Sequence, residues 1–94
     1  MDIQVEDNGK KGAFFIEENG TRLAEMTFVW AGDGNFIVDH TEVNESLEGK
    51  GVGKQLVRRA VEMAREKKVN LIPLCPFTKS VIERTREFQD VLRK

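Results

Sequence analysis

The sequence is poor in cysteine and has no long apolar run. Cys75 is its only cysteine, which excludes an internal disulfide and a zinc site built on several cysteines. No stretch approaches the roughly 18 consecutive apolar residues that a membrane-spanning helix needs, and the amino terminus lacks a signal-peptide pattern. We therefore expect a cytoplasmic protein with neither a membrane partner nor a bound metal.

The chain is also too short for two hydrophobic cores. Its 94 residues are 39% hydrophobic and 33% charged, a composition typical of a globular chain that closes one modest core. This excludes a two-domain enzyme and predicts a single domain over residues 1–94.

The first half of the sequence has few basic residues, and the second half has few acidic ones. Residues 1–47 carry ten acidic side chains against three basic ones, a net −7, whereas residues 48–94 carry twelve basic against six acidic, a net +6. The second half could therefore face a polyanion and the first half a cation. The overall net charge of −1 does not fit a general nucleic-acid binder, whose pI usually exceeds about 9, so nucleic acid is not the expected partner.

Four runs rich in β-branched and aromatic residues occupy the first half, at residues 3–6, 13–17, 22–30 and 35–43. Clusters of Gly with Asn or Asp separate them, and the pairs Asn19-Gly20 and Asp33-Gly34 suit tight hairpin turns. The pattern predicts an antiparallel meander of four strands.

The hydrophobic period changes after Gly53. Apolar residues then recur at steps of three and four, which predicts an amphipathic helix of about four turns ending near Lys67 and Lys68; they are Val52, Leu56, Ala60, Met63 and Ala64. Residues 69–75 form a nearly continuous apolar run, typical of a strand covered on both faces. A strand, helix, strand order implies a right-handed crossover, so the fifth strand is predicted to lie parallel to the fourth.

Pro73 does not fit a regular central strand, because proline has no backbone N–H to donate to a β-ladder. We expect the fourth and fifth strands to pair at one end and separate at the other, with Pro73 and Cys75 beside the gap. After the gap, the pattern predicts short helices near residues 78–84 and 87–92, the second capped by Thr85.

The loop between the fourth strand and the long helix is rich in glycine. Gly49, Gly51 and Gly53 permit a tight turn with exposed backbone amides, and the positive end of the helix dipole reinforces them. Such a loop suits an anion, phosphate above all. Its spacing fits neither the P-loop nor the dinucleotide-binding fingerprint.

Three separated phrases resemble the GNAT-type N-acetyltransferase superfamily, and specifically its small stand-alone domain proteins. They are DHTEV at 39–43, GKGVG at 49–53 and PLCPF at 73–77. The resemblance implies an α/β (α+β) fold in which the antiparallel meander is followed by a crossover helix and a splayed parallel strand pair. Residues 6–13 leave no room for the first two helices of larger members, so a minimal form is expected. Glu48 stands where the superfamily usually has Gln or Arg.

The resemblance implies an acetyl-CoA-dependent enzyme that acetylates a primary amine on a small molecule, a lysine or a peptide N-terminus. The loop would hold the CoA diphosphate through its backbone, at Gly49, Lys50, Gly51, Val52, Gly53 and Lys54. The backbone near Val43 would pair with the pantetheine arm, and Lys50, Lys54 and Lys79 would add side-chain contacts. Two alternatives stay open: a CoA-binding module with little or no turnover, and a nucleic-acid interaction through the basic half.

Three residues are candidates for catalysis. Cys75 is either a small apolar filler, an acyl-accepting nucleophile with a lowered pKa, or a thiol that protonates the leaving CoA thiolate. His40 and Glu42 share one face of the fourth strand, and either could serve as the base that keeps the attacking amine neutral. Glu42 could also attract a cationic amine. We expect direct transfer in a ternary complex rather than an acyl-cysteine route.

Overall fold

The computed structural model describes residues 2–32 and 34–92, which form one five-stranded sheet, two α-helices and two 3₁₀ segments. The strands are β1 (Gln4–Asp7), β2 (Lys11–Glu18), β3 (Thr21–Ala31), β4 (Asn35–Val43) and β5 (Asn70–Pro73). The helices are α1 (Val52–Lys67) and α2 (Pro76–Arg84), and the 3₁₀ segments span Glu45–Leu47 and Arg86–Val91.

The strands lie in chain order across the sheet. Neighbours from β1 to β4 are antiparallel, and β5 is parallel to β4. Asn19 and Gly20 both have positive φ, at 51° and 79°, as a tight hairpin turn requires. Asp33, which the sequence places in the other predicted turn, lies outside the described residues. The predicted meander and the parallel fifth strand are confirmed.

Helix α1 covers one face of the sheet with a continuous apolar stripe. Its buried residues are Val52, Leu56, Val57, Ala60, Val61, Met63 and Ala64. The sheet contributes the aromatic rings of Phe14, Phe28 and Phe36, and the ring centroids lie 5.1 Å apart for Phe14 and Phe28 and 4.9 Å apart for Phe28 and Phe36. Burial of each such side chain stabilises the fold by about 1.5–3 kcal/mol. The predicted amphipathic helix is therefore confirmed.

A β-bulge in β4 changes which of its side chains face the core. The register with β3 shifts between Val38 and His40, which leaves Asp39 without a partner. Phe36 and Val38 are buried before the bulge, but beyond it Thr41 is on the half-buried side and His40 is exposed. Simple alternation would have turned His40 toward the core. The bulge therefore decides which polar groups of β4 reach solvent.

The pairing between β4 and β5 is short. It runs from Asn35 to Val38 on β4, and the carbonyl oxygen of Val38 then accepts hydrogen bonds from the amides of both Leu74 (3.0 Å) and Cys75 (3.1 Å). Within the described ranges, residues 39–43 have no strand on this edge. The expected separation of the two strands is present, and Pro73 is the last paired residue of β5.

The segments after β5 differ from expectation in detail. Helix α2 begins at Pro76, earlier than predicted, because proline is well suited to the first turn. The last segment is a 3₁₀ helix, and Thr85 stands at its N-cap without a side-chain capping bond; instead its backbone carbonyl accepts from the amide of Phe88 at 2.9 Å. Among the residues that the structure describes, no helix is long and apolar enough to cross a membrane.

Gly12 allows β1 and the core to approach β2 closely, which gives a first prediction. A Cβ at this position would overlap the carbonyl oxygen of Glu6 and lie 2.6 Å from Cζ of Phe28. We expect Gly12→Ala to lower the free energy of unfolding in urea by about 1–3 kcal/mol, as overpacking does. Gly32→Ala is the control, since its Cβ position has no atom of the described residues within 4 Å, chain neighbours aside. Equal effects of the two substitutions would contradict this account of the packing.

Candidate functional site

A cleft of about 430 Å³ lies between the glycine-rich loop and α2. Its lining residues are Val43, Leu47, Glu48, Gly49, Gly51, Val52, Gly53, Lys54, Phe77, Val81, Arg84 and Thr85. Three elements therefore meet at the cleft: the end of β4, the loop with the start of α1, and one face of α2. Most of the loop residues expected to bind a ligand are present in this lining.

The start of α1 opens into the cleft without a capping side chain. Gly51 is its N-cap residue, and no side chain there bonds to the first-turn amides, which have no partner within the helix itself. Gly49 and Gly51 have φ of 78° and 71°, the left-handed region that favours glycine. None of the described residues has an atom within 4 Å of a Cβ placed on either, chain neighbours aside. The positive end of α1 is therefore accessible to an anion.

Gly53 packs closely against α2. It lies inside α1, and a Cβ there would overlap the ring of Phe77, with Cε2 at 2.9 Å. The third glycine of the loop therefore makes room for Phe77 and is not needed for the turn. Through this contact Phe77 fixes the position of α2 against the start of α1, although the residue stays 42% exposed.

Two basic side chains are present in the lining, Lys54 and Arg84, together with one carboxylate, Glu48. Lys50 and Lys79, which were expected to contact the ligand, are not in the lining. Sequence reasoning missed Arg84. The signal was its spacing, because it follows Phe77 by seven residues and so shares a face of α2 with it.

Cys75 lies where β4 and β5 separate, at the N-cap of α2. The residue is 5% exposed. Its Sγ donates to Oγ1 of Thr41 at 3.4 Å, and Oγ1 of Thr78 lies 3.5 Å from the same hydroxyl. Burial raises the pKa of the thiol, but the hydroxyls of Thr41 and Thr78 and the first-turn backbone amides can donate hydrogen bonds to the thiolate and outweigh this effect, so the pKa lies below its ordinary value. The thiol therefore combines a lowered pKa with burial in the protein.

His40 and Glu42 form a pair on the other side of β4. Nε2 of His40 lies 3.1 Å from Oε1 of Glu42, and the two side chains are 63% and 77% exposed. The carboxylate raises the pKa of His40 above its ordinary value, because the bond to Glu42 outweighs the opposing effect of desolvation. The structure thus divides the three catalytic candidates: Cys75 contacts Thr41 on one side of the strand, and His40 and Glu42 lie on the other. None of the three lines the 430 Å³ cleft, whereas Val43 does.

A second cleft, of about 550 Å³, runs along β1, β2 and β3 and reaches the bulge of β4. Four carboxylates line it, those of Glu6, Asp7, Glu25 and Asp39. The hydroxyl of Thr27 donates to Oδ1 of Asp39 at 2.6 Å and holds that side chain in place. Over residues 2–32 and 34–92, no three His, Cys, Asp or Glu side chains are grouped so that they could hold a metal ion.

Comparison with known proteins agrees with this geometry. A solution NMR structure of a GCN5-like protein from Staphylococcus aureus is 34% identical, with a TM-score of 0.72 over 96% of this chain and 87% of that one. A ribosomal-protein-alanine N-acetyltransferase from Brucella melitensis shares the fold, with 20% identity and a TM-score of 0.62 over 93% of this chain and 66% of that one.

Sequence relatives point to the same group. Protein NATD1 of Xenopus tropicalis is 24% identical over 82 residues, which are 86% of this chain and 75% of the relative. The family model described as GCN5-related N-acetyl-transferase matches residues 13–91. The resemblance found in the three sequence phrases and the fold that it implied are both confirmed: the chain belongs to the GCN5-related N-acetyltransferase family.

Proposed function

We propose that this protein transfers the acetyl group of acetyl-CoA to a primary amine. Membership of the family supports acyl transfer from an acyl-CoA to an amine. The observation that carries the proposal for this chain is the cleft at the uncapped start of α1, which adjoins the unpaired edge of β4. An anion-binding helix start beside a free strand edge suits a ligand that carries phosphates at one end and amide groups in its arm.

In this proposal the loop backbone binds the diphosphate of CoA. Gly49 and Gly51 let the phosphates approach the amides of residues 50–54 closely, and Lys54 adds a cation from the first turn of α1. Lys50 and Lys79 lie outside the lining, so they would act through longer-range attraction, which salt screens over about 8 Å at physiological ionic strength. The backbone of residues 39–43, ending at Val43, would hydrogen-bond the pantetheine amides.

Carboxylates on the exposed side of β4 support a cationic acceptor. A primary amine is protonated near neutral pH, so the carboxylates of Asp39 and Glu42 would attract it to the exposed side of β4. Attack on a thioester needs the neutral amine, and His40 on the same strand can take up the proton. Glu42 then has two roles: it attracts the amine, and it tunes the basicity of His40.

We favour direct transfer over an acyl-cysteine. Cys75 is 5% exposed and its thiol donates to Thr41, so an incoming amine has little access to it, whereas His40 is open to solvent. In direct transfer the amine nitrogen forms the amide bond, His40 receives the amine's proton and the CoA thiolate leaves.

A second candidate is a CoA-binding protein with little turnover. The observation in its favour is that His40, Glu42 and Cys75 all lie outside the 430 Å³ cleft. Both candidates predict CoA binding, and release of CoA thiol in the presence of amines distinguishes them.

The loop assignment is tested by Gly51→Val, with Gly20→Val as the matched control. Both glycines have positive φ, 71° and 79°, and in the part of the chain that the structure describes no other residue comes within 4 Å of a Cβ on either, chain neighbours aside. Both variants should therefore lose a similar amount of stability from backbone strain, about 1–2 kcal/mol. Only Gly51→Val places a branched side chain over the loop amides. We expect it to weaken acetyl-CoA binding by about 1–3 kcal/mol in isothermal titration, the cost of unpaired polar groups. Unchanged affinity in a folded Gly51→Val protein would refute the site.

The role of His40 is tested by the pH profile of amine-dependent CoA release. His40 acts as a base only when neutral, so the rate falls as the pH drops through its raised pKa. Glu42→Gln removes the carboxylate that raises this pKa, and the acidic limb of the profile should move to lower pH, toward the ordinary value of about 6.5. Glu45→Gln, an exposed carboxylate in the neighbouring 3₁₀ segment, should leave the limb in place. A limb that does not move in Glu42→Gln would rule out His40 as the group that titrates.

The same assay separates the two transfer routes. His40→Gln should lower the rate roughly 10²- to 10⁴-fold, as loss of a general base does, whereas Cys75→Ala should keep substantial activity. A Cys75 adduct that passes its acetyl group to the amine at least as fast as steady-state turnover would instead establish the covalent route.

A further inference from the structure

We propose that Arg84 binds a phosphate group of CoA and offsets the carboxylate of Glu48 across the cleft. The inference rests on the proposed acyl-CoA function and adds to it a specificity-determining side chain on α2. Because the cleft includes the carboxylate of Glu48, it needs a compensating positive charge to bind a polyanion.

Arg84 lies on the face of α2 that borders the cleft. Phe77, Val81 and Arg84 are spaced by four and three residues, so they form one face of α2, and all three line the cleft. Phe77 contacts the first turn of α1 at Gly53, which fixes this face opposite the loop. Arg84 therefore lies at the carboxyl end of the face, beyond the two apolar side chains.

The guanidinium group of Arg84 has hydrogen-bond donors available for a ligand. Its Nε donates to the carbonyl oxygen of Ser80 at 3.2 Å, which orients the guanidinium and leaves the Nη groups for a ligand. Three other arginines, Arg22, Arg58 and Arg65, are in ion pairs with carboxylates. No ion-pair partner of Arg84 is found among residues 2–32 and 34–92. An oriented guanidinium with unused donors matches the paired oxygens of a phosphate.

The side chains that line the cleft have a net positive charge. Lys54 and Arg84 together outweigh the single carboxylate of Glu48, so the lining has a net charge of +1. Without Arg84 that charge would be zero, and the carboxylate would oppose phosphates held at the loop. The C-terminal end of α2 cannot offset the charge of Glu48, because the carboxyl end of a helix dipole is itself negative.

The test is isothermal titration of the intact protein with CoA, 3′-dephospho-CoA and phosphate-free pantetheine. The variants are Arg84→Gln and, as matched control, Arg86→Gln, which removes an exposed positive charge outside the cleft lining. We expect Arg84→Gln to weaken CoA binding about fivefold to twentyfold, between the effects of exposed and buried charged contacts. Arg86→Gln should change it less than about twofold, and Arg84→Lys should retain part of the affinity because it keeps the charge.

The three ligands identify the phosphate. A loss with CoA that disappears with 3′-dephospho-CoA assigns Arg84 to the 3′-phosphate, and a loss with both assigns it to the diphosphate; either result supports the proposal. An equal loss with pantetheine would overturn it, because the side chain would then act by packing. Thermal unfolding of each variant checks that Arg84→Gln, an exposed substitution, leaves the fold intact.

Glu48→Gln supplies an independent arm. Removal of the carboxylate should tighten CoA binding about twofold to fivefold, and unchanged or weaker binding would overturn the charge-offset argument. If wild type binds CoA and Arg84→Gln binds it equally well, the role of Arg84 is refuted while the proposed function stands. If wild type does not bind CoA, both are refuted.

Discussion

The carbonyl oxygen of Val38 ends the pairing of β4 with β5, and the geometry of the site depends on this one acceptor. It takes hydrogen bonds from two successive amides, those of Leu74 and Cys75, so the chain turns away from β4 and cannot extend the ladder. Pro73 reinforces the break because it has no N–H to donate. As a result β4 keeps a free edge beyond Val38, and Cys75 becomes the N-cap of α2.

The direction of α2 then creates the cleft. Because α2 starts at the break, its face with Phe77 and Val81 runs beside the start of α1, and Gly53 allows the two helices to approach through the Phe77 ring. The uncapped helix start and the free strand edge thus border one space. The backbone groups at the helix start and the strand edge would be costly to leave unpaired if they were buried. Here they stay accessible, as binding of a polar, anionic ligand requires.

Much of this arrangement could be predicted from the sequence because its signals are local. The spacing of apolar residues from Val52 to Ala64 specified α1, and Pro73 indicated that β4 and β5 separate, although β5 ends at Pro73 and not at residue 75 as predicted. The bulge at Asp39 could not be predicted, since the register of β4 is set by its partner β3 rather than by residues 39–43 themselves. Arg84 was missed for a similar reason: its place in the cleft depends on how α2 packs against α1. The separation of Cys75 from His40 and Glu42 likewise follows from the bulge and the strand break together.

The central claim is that the loop and the free edge of β4 bind acyl-CoA. The most direct measurement is a titration of ¹⁵N-labelled protein with CoA, followed by the amide resonances in two-dimensional NMR spectra. The account predicts saturable shifts that are largest for residues 50–54 and extend along residues 39–43 and the cleft face of α2. Saturable shifts confined to β1 and β2, or no saturable shift at all, would contradict it.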